Sequence, residues 1–350
     1  MTPPLLPVQS TSASKSTTRP TVFKCLGILL VLWAVACWLR FSGVSNTPSI
    51  IPLSAPGNDE TNTLALDVSV AAEVPSHTVE SEGSVPGAVY SSVKKHTDRV
   101  AVIVEDRPLG NLVPVILHFH AVLGPEWPII LYTSRPTAST ILTSAPLSRA
   151  VAASEIEIRY LPSNTTFTSH ASVSHFLASP FLWTALAPYA KILLFQTDSI
   201  LCAAAPRHMD DFIAYDLIGA PIDARFGAGF NGGLSLRSRE LVLRVLRRWD
   251  FAVDSAAADA PDEWKFEDQW FYARMRELAG DAELLGELGI SVNLPDVDTA
   301  ASMAVETIWV EGGRPLGFHQ PRRWQGAHMK EIEEYCPEVG MVAGSSFFGR

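Results

Sequence analysis

Asp198 follows the apolar run 192–195 within a few residues, in the string Leu193-Leu194-Phe195-Gln196-Thr197-Asp198-Ser199. A carboxylate just beyond a buried strand can hold a divalent cation against a diphosphate. It can equally cap a turn. Gln196 stands two residues earlier, where a second acid would strengthen a cation site. Asn231-Gly232-Gly233 offers a bare stretch of backbone that a ligand can approach closely, although an ordinary tight turn uses the same residues. Glu267 and Asp268 precede the aromatic run Trp270-Phe271-Tyr272. In the first turn of a helix both acids would complement the macrodipole, and one could serve as general base toward a hydroxyl. Neighbouring helical positions point apart, so a single acid reaches the ligand; Asp268 is favoured and Glu267 is the second catalytic candidate. His319, in Gly317-Phe318-His319-Gln320, is a candidate metal ligand with Asp198, or a buried imidazole bonded to a carbonyl. Arg322 and Arg323 follow and can pair with phosphates or stay solvated. As a set, these groups suit displacement of a diphosphate leaving group by a hydroxyl.

Such groups need a scaffold that brings distant segments together. The continuous apolar run 100–104 reads as a buried parallel strand, and it ends in Glu105-Asp106-Arg107-Pro108. Further strands are expected at 127–132, 155–161, 192–195, 217–220 and 233–236. Helices are expected at 112–123, 240–249 and 268–278, with 172–189 helical but interrupted by Pro180 and Pro188. Strands alternating with helices predict an α/β domain with a mostly parallel central sheet covered on both faces. Ligands of such sheets bind at the carboxyl ends of the strands. That places Glu105, Asp106, Arg107, Gln196, Asp198, Asn231, Gly232 and Gly233 as donor-binding candidates.

Composition narrows the class. The chain has 350 residues, 47% of them hydrophobic, and a net charge of −10. That acidity argues against a nucleic-acid partner, which calls for a basic patch. Lys15, Arg19, Lys24 and Arg40 are the charges before residue 44, and no acid accompanies them. The uncharged run 25–39, extended to 22–44, predicts a transmembrane signal-anchor with snorkelling Lys24 and Arg40. Ala34-Val35-Ala36 keeps a cleaved signal peptide as the competitor. Basic residues before the span predict a cytosolic N-terminus. The expected organisation is a cytosolic tail 1–21, the anchor 22–44, a disordered Ser/Thr/Pro-rich stem 45–97, a catalytic domain 98–337 and a tail 338–350. Cys202 and Cys336 are the cysteines beyond the anchor; pairing and two buried thiols are both open. Asn164-Thr165-Thr166 is a glycosylation acceptor sequence.

In order and spacing the chain from about 99 to 337 resembles an uncharacterised fungal domain-of-unknown-function family with a glycosyltransferase A-type core. The resemblance rests on Phe195-Gln196-Thr197-Asp198-Ser199-Ile200-Leu201-Cys202, Ile218-Gly219-Ala220-Pro221-Ile222-Asp223, Asn231-Gly232-Gly233-Leu234-Ser235-Leu236-Arg237, Glu267-Asp268-Gln269-Trp270-Phe271 and Gly317-Phe318-His319-Gln320. It implies a single Rossmann-like glycosyltransferase A-type domain that binds a nucleotide-diphosphate sugar. It further implies Asp198 and His319 as ligands of Mn²⁺ or Mg²⁺, with Gln196 where that fold class usually carries an aspartate. Gly232 and Gly233 look like the glycine loop near donor and acceptor, and Asp268 like the base of inverting members. With the anchor, the implied protein is a Golgi or endoplasmic-reticulum glycosyltransferase with a lumenal domain, acting on a glycan, glycoprotein or glycolipid acceptor. Two alternatives accompany it: a non-catalytic sugar- or nucleotide-binding relative, and a lumenal glycoside hydrolase.

Overall fold

The computed structural model describes residues 98–342. Its strands are β1 (Arg99–Val104), β2 (Ile129–Thr133), β3 (Ile156–Tyr160), β4 (Lys191–Phe195), β5 (Ser199–Leu201), β6 (Leu217–Pro221), β7 (Phe230–Ser238), β8 (Ala304–Val305) and β9 (Gly317–His319). Six of them form one sheet in the order β3-β2-β1-β4-β7-β6. β1 pairs in parallel with both β2 and β4, and β2 with β3. β7 runs antiparallel to β4 and to β6. Five strands therefore share one direction and β7 alone opposes them.

The apolar runs of β1, β2 and β4 become central strands because helices cover the sheet. The helix Leu112–Leu123 buries Leu112, Val115, Ile116 and Phe119, the spacing of one helical face. Phe119 stacks on Phe195 with ring centroids 3.9 Å apart. The helix Glu267–Gly280 packs on β7 and buries Trp270, Phe271, Met275 and Leu278. The expected helix 172–189 is two, His170–Leu177 and Pro180–Ala185, with Pro180 opening the second, a position that needs no amide donor.

A second, three-stranded sheet in the order β5-β9-β8 sits where the chemistry-bearing segments meet. Its register sets Ser199 opposite His319 and Val305 opposite Phe318. Asp198, His319 and Glu306 are thus brought to one end of the small sheet by backbone pairing alone.

Cys202, just after β5, is disulfide-bonded to Cys336, with Cα atoms 5.0 Å apart. Both alternatives that the sequence left open resolve to pairing. The bridge closes a long loop, so opening it by Cys336→Ser is expected to lower unfolding free energy by about 2–5 kcal/mol, read from the midpoint of denaturant unfolding.

The expected membrane anchor is corrected. Among the described residues no helix is long and apolar enough to cross a membrane. The tail 1–21, the span 22–44 and the stem 45–97 lie outside the described residues, as does 343–350. The described residues form an α/β domain. The signal-anchor, the membrane as a partner, the cytosolic-to-lumenal topology and the Golgi or endoplasmic-reticulum location are withdrawn.

Candidate functional site

A cavity of about 430 Å³ opens at the carboxyl end of β4, between the start of β7, the helix Glu267–Gly280 and the end of β9. Gln196, Gly232, Gly233, Glu267, Asp268 and His319 all line it. Its two ends differ in chemistry.

At one end His319 is held between two carboxylates. Nδ1 lies 2.9 Å from Glu306 Oε1. Nε2 lies 3.2 Å from Gln196 Oε1 and 3.3 Å from Asp198 Oδ1. Burial alone would lower the basicity of this imidazole. The Asp198 charge outweighs it, together with the bond to Glu306, and the pKa is pushed up to about 10. Asp198 is fully buried, and its carboxyl is held below the usual range: burial opposes ionisation, but the His319 charge and the Gln320 hydrogen bond win. Its Oδ2 accepts from Gln320 Nε2 at 2.9 Å. Its Oδ1 is buried with no hydrogen-bond donor of its own, so the attraction to His319 is one of charge.

The backbone is adapted to this cluster. Gln320 adopts φ 46°, ψ 46°, the left-handed region that a non-glycine residue seldom occupies and that persists where surroundings over-determine it. Here its side chain bonds both Asp198 and Arg323, and its N–H bonds the Asp198 carbonyl at 2.9 Å. Gly233 leaves room for His319: a Cβ there would collide with the imidazole. Asn231 accepts from Gly233 N through Oδ1 at 2.7 Å and donates to Glu306 through Nδ2 at 3.2 Å. The glycine turn and the imidazole are therefore one hydrogen-bonded unit.

At the other end stand the adjacent acids. Glu267 pairs with Arg237 Nη2 at 3.0 Å and accepts from Ser174 Oγ at 3.2 Å. Asp268 accepts from Gly232 N at 2.7 Å and from Gln269 N at 2.8 Å. Its pKa is pushed up to about 7, first by burial and then by the Glu267 charge. The helix dipole acts the other way, but its 0.3–1 kcal/mol is too small to reverse desolvation of a buried carboxyl. A carboxylate poised near neutrality in a cavity wall is suited to exchange a proton with a ligand.

The cavity mouth is aromatic. Phe226 and Phe266 are exposed at 45% and 42%, and Phe226 meets Trp324 edge-on with centroids 5.0 Å apart. Phe226 precedes Gly227 and Gly229, whose φ values of 124° and 108° only glycine adopts comfortably.

The candidates from sequence divide accordingly. Gln196, Asn231, Gly232, Gly233, Glu267, Asp268 and His319 line the cavity; Asp198 lies directly beneath it through His319. Glu105, Asp106 and Arg107 do not line it. Arg107 instead grips Glu105 with bonds of 2.8 and 2.9 Å, and Asp106 Oδ2 accepts from Phe167 N at 3.4 Å. Of the two late arginines, Arg323 lines the cavity. Sequence reasoning gave no role to Glu306 or to Arg237. Glu306 follows a strand of two residues, too short to register as a pattern. Arg237 had a signal: it alternates with Leu234 and Leu236 on the same strand as Ser235.

A family described as "Protein of unknown function (DUF5672)" matches residues 155–319, a little under half of the chain, running from β3 to His319. Nothing in that match is particular to fungi, so the expected fungal family is not carried further. Two crystal structures of the glycosyltransferase GlyE of Streptococcus pneumoniae TIGR4 are distantly similar. The apo form has 13% identity and a TM-score of 0.35, and the other has 14% and 0.34. In both cases the likeness covers 64% of this chain and 54% of the other, so this chain spans about half the length of the structures it matches. At those scores the likeness carries no argument about the site, which rests on its own geometry. No curated protein matches the chain.

Proposed function

We propose that the cavity binds a nucleotide-diphosphate sugar. The observation that supports this reading is the meeting of Gln196 Oε1 and Asp198 Oδ1 on His319 Nε2, at 3.2 and 3.3 Å, beneath a glycine turn at the cavity wall. A divalent cation, Mn²⁺ or Mg²⁺, fits the three side chains once His319, which holds its proton at neutral pH in the cation's absence, gives up the proton on Nε2, as metal binding requires of an imidazole. Asp198 Oδ1 is buried without a hydrogen-bond donor and faces the His319 ring, Gln196 supplies a hard amide oxygen, and Glu306 fixes the imidazole through its far nitrogen, the usual partner of a metal-bound histidine. Among the described residues no group of three or more His, Cys, Asp or Glu side chains is arranged to hold a metal. The set is therefore short, one carboxylate, one imidazole and one amide, and it leaves coordination positions for phosphate oxygens. When bound, such a cation supplies positive charge against the diphosphate. The chain's own contribution is to orient that diphosphate with Arg323, which pairs well with phosphate, and to let the sugar lie against the bare backbone of Gly232 and Gly233.

Calorimetry on the full-length protein with nucleoside diphosphates and their sugar conjugates, with and without Mn²⁺, tests this. Saturable binding that tightens at least about ten-fold with the metal, or 1.4 kcal/mol, is expected. No binding of any nucleotide in either condition would overturn the reading. Equal binding in both would leave the nucleotide site and remove the cation from it.

One observation favours a second step, transfer of the sugar to an acceptor hydroxyl. Asp268 lies in the cavity wall with a pKa near neutrality. It would take the proton of the hydroxyl as that oxygen bonds to the anomeric carbon. The bond from that carbon to phosphate oxygen breaks, and its electron pair leaves on the diphosphate. If configuration is retained instead, Asp268 orients the acceptor. Glycoside hydrolysis, which needs two carboxyl groups facing one sugar, is disfavoured. Glu267 is tied to Arg237 and Glu306 to His319, leaving Asp268 without a second acid available to share the work.

A further inference from the structure

Two adjacent acids share one cavity wall, yet only one can act as the base, and the residue that separates their roles lies behind them. Arg237 is fully buried on β7. Its Nε bonds Ser235 Oγ at 3.1 Å, its Nη2 bonds Glu267 Oε1 at 3.0 Å, and its Nη1 has no partner. Trp183 and Phe271 flank the guanidinium at 5.8 and 5.7 Å, so it cannot swing to another carboxylate without leaving its aromatic slot. All three charged groups converge on Gly232. A Cβ at that position would lie 2.6 Å from Arg237 Nη2 and 3.0 Å from both Glu267 Oε1 and the Asp268 Cβ.

We propose that Arg237 is a positioning residue for the base: by taking Glu267 as its counter-ion it commits that acid to a buried ion pair and leaves Asp268 as the one that exchanges a proton with a ligand. The inference rests on the transfer reading for its consequence, but not for its test. The physical ground is that two carboxylates this close cannot both ionise freely in a buried wall. Without a fixed cation the proton would be distributed between them, and the pair would titrate as a coupled unit. Arg237 sits on Glu267's side of the pair, where Ser174 adds a hydrogen bond to the same carboxylate. Asp268 receives only backbone N–H groups. The other charged or titratable groups lining this cavity are His170, on the helix His170–Leu177 that also carries Ser174, and Arg323, His319 and Glu306, the last held by His319. His170 is held below its ordinary pKa, first by burial and then by the Arg323 charge, so it adds little positive charge near neutrality.

The test is carbon-13 NMR of the full-length protein labelled at the Asp and Glu carboxyl carbons, titrated over pH, with Asp268→Asn and Glu267→Gln identifying the two signals. In the native protein Asp268 is expected to titrate in a single step near neutrality. In Arg237→Met, Glu267 loses its counter-ion and Asp268 the positive charge that favours its ionised form; the Asp268 midpoint is expected to rise and its signal to become biphasic. Glu267→Gln removes the negative neighbour and keeps the guanidinium, so the Asp268 midpoint should fall. In the double variant Arg237→Met/Glu267→Gln both opposite charges are gone, and Asp268 should return to one step near the native midpoint. Because the double variant removes the buried pair as a unit, it avoids the unpaired charge that makes single removal so destabilising and stays informative if Arg237→Met does not fold. A purely structural arginine would leave the Asp268 midpoint in place. An unchanged Asp268 midpoint in Glu267→Gln, or a double variant still biphasic, would overturn the assignment. If the midpoints move as expected and no donor is consumed under any condition, the division of roles stands and the transfer reading fails.

Discussion

Asp268→Asn is expected to lower sugar-transfer turnover by about a hundred- to ten-thousand-fold, the usual worth of general-base help, while leaving nucleotide affinity nearly intact. The split follows from the geometry. Asp268 is bonded to Gly232 N and to Gln269 N, whereas the nucleotide is proposed to sit over Gln196, Asp198 and His319. The pH dependence has a definite sign. A base must be ionised to accept a proton, and burial with the Glu267 charge raises Asp268 to about 7. Turnover should therefore rise with pH through neutrality and level off above it, and that limb should vanish in the Asn variant. Steady-state rates over pH, with donor affinity measured separately, check both parts. A loss of donor affinity instead would move Asp268 to the donor's surroundings. Unchanged turnover would reduce it to a residue of the helix's first turn. Glu267→Gln should be the milder change in rate, because its carboxylate is occupied by Arg237 and Ser174.

Asp198→Ala should have the largest effect on the other end of the cavity. The side chain is fully buried and is one of two carboxylates holding His319. Removing it leaves a buried imidazole with a single counter-ion, leaves the Gln320 amide without its acceptor, and takes away the only carboxylate of the proposed cation set. Breaking a buried pair from one side typically costs about 3–5 kcal/mol. That cost falls on stability; nucleotide binding in the presence of Mn²⁺ should separately weaken by about ten-fold or more, the gain expected from the cation, at 1.4 kcal/mol per ten-fold. Calorimetry and denaturant unfolding of the same variant separate the two contributions. Tight Mn²⁺-dependent nucleotide binding by a folded Asp198→Ala protein would remove Asp198 from the site.

The long apolar runs were legible because their neighbours in sequence carry the information. The run 100–104 becomes β1, and the helix expected at 112–123 is Leu112–Leu123, since four buried side chains at helical spacing need no tertiary knowledge to be seen. The prolines that interrupt 172–189 act as expected. The small sheet was not legible. β5 and β9 have three residues each and β8 has two, fewer than any periodicity needs, although it is their pairing that brings Asp198, Glu306 and His319 together. The two helices Arg135–Ile141 and Ala145–Ala152 were also missed. They begin after Ser134 and Ser144 with prolines at their starts, and in a Ser/Thr/Pro-rich stretch those residues read as loop. The charged motif after β1 does not line the cavity, and Glu105 and Arg107 bond each other. Charge at a strand end is as readily self-paired as offered to a ligand.

The Cys202–Cys336 bridge encloses 134 residues of sequence separation, and the glycine turn, both acids, Glu306 and His319 all lie within that span. The segment 257–259, between the helix Phe251–Ala256 and the turn Asp262–Lys265, is exposed, the kind of site where proteases cut. A cut there would put Asp198 and the glycines on one fragment and the acids and His319 on the other, yet the fragments would remain covalently joined through the sulfur bridge and held together by the small sheet's β5–β9 pairing. Such a preparation would migrate at full length without reductant and as two pieces with it. Chain integrity in any activity measurement on this protein is therefore read on a reducing gel.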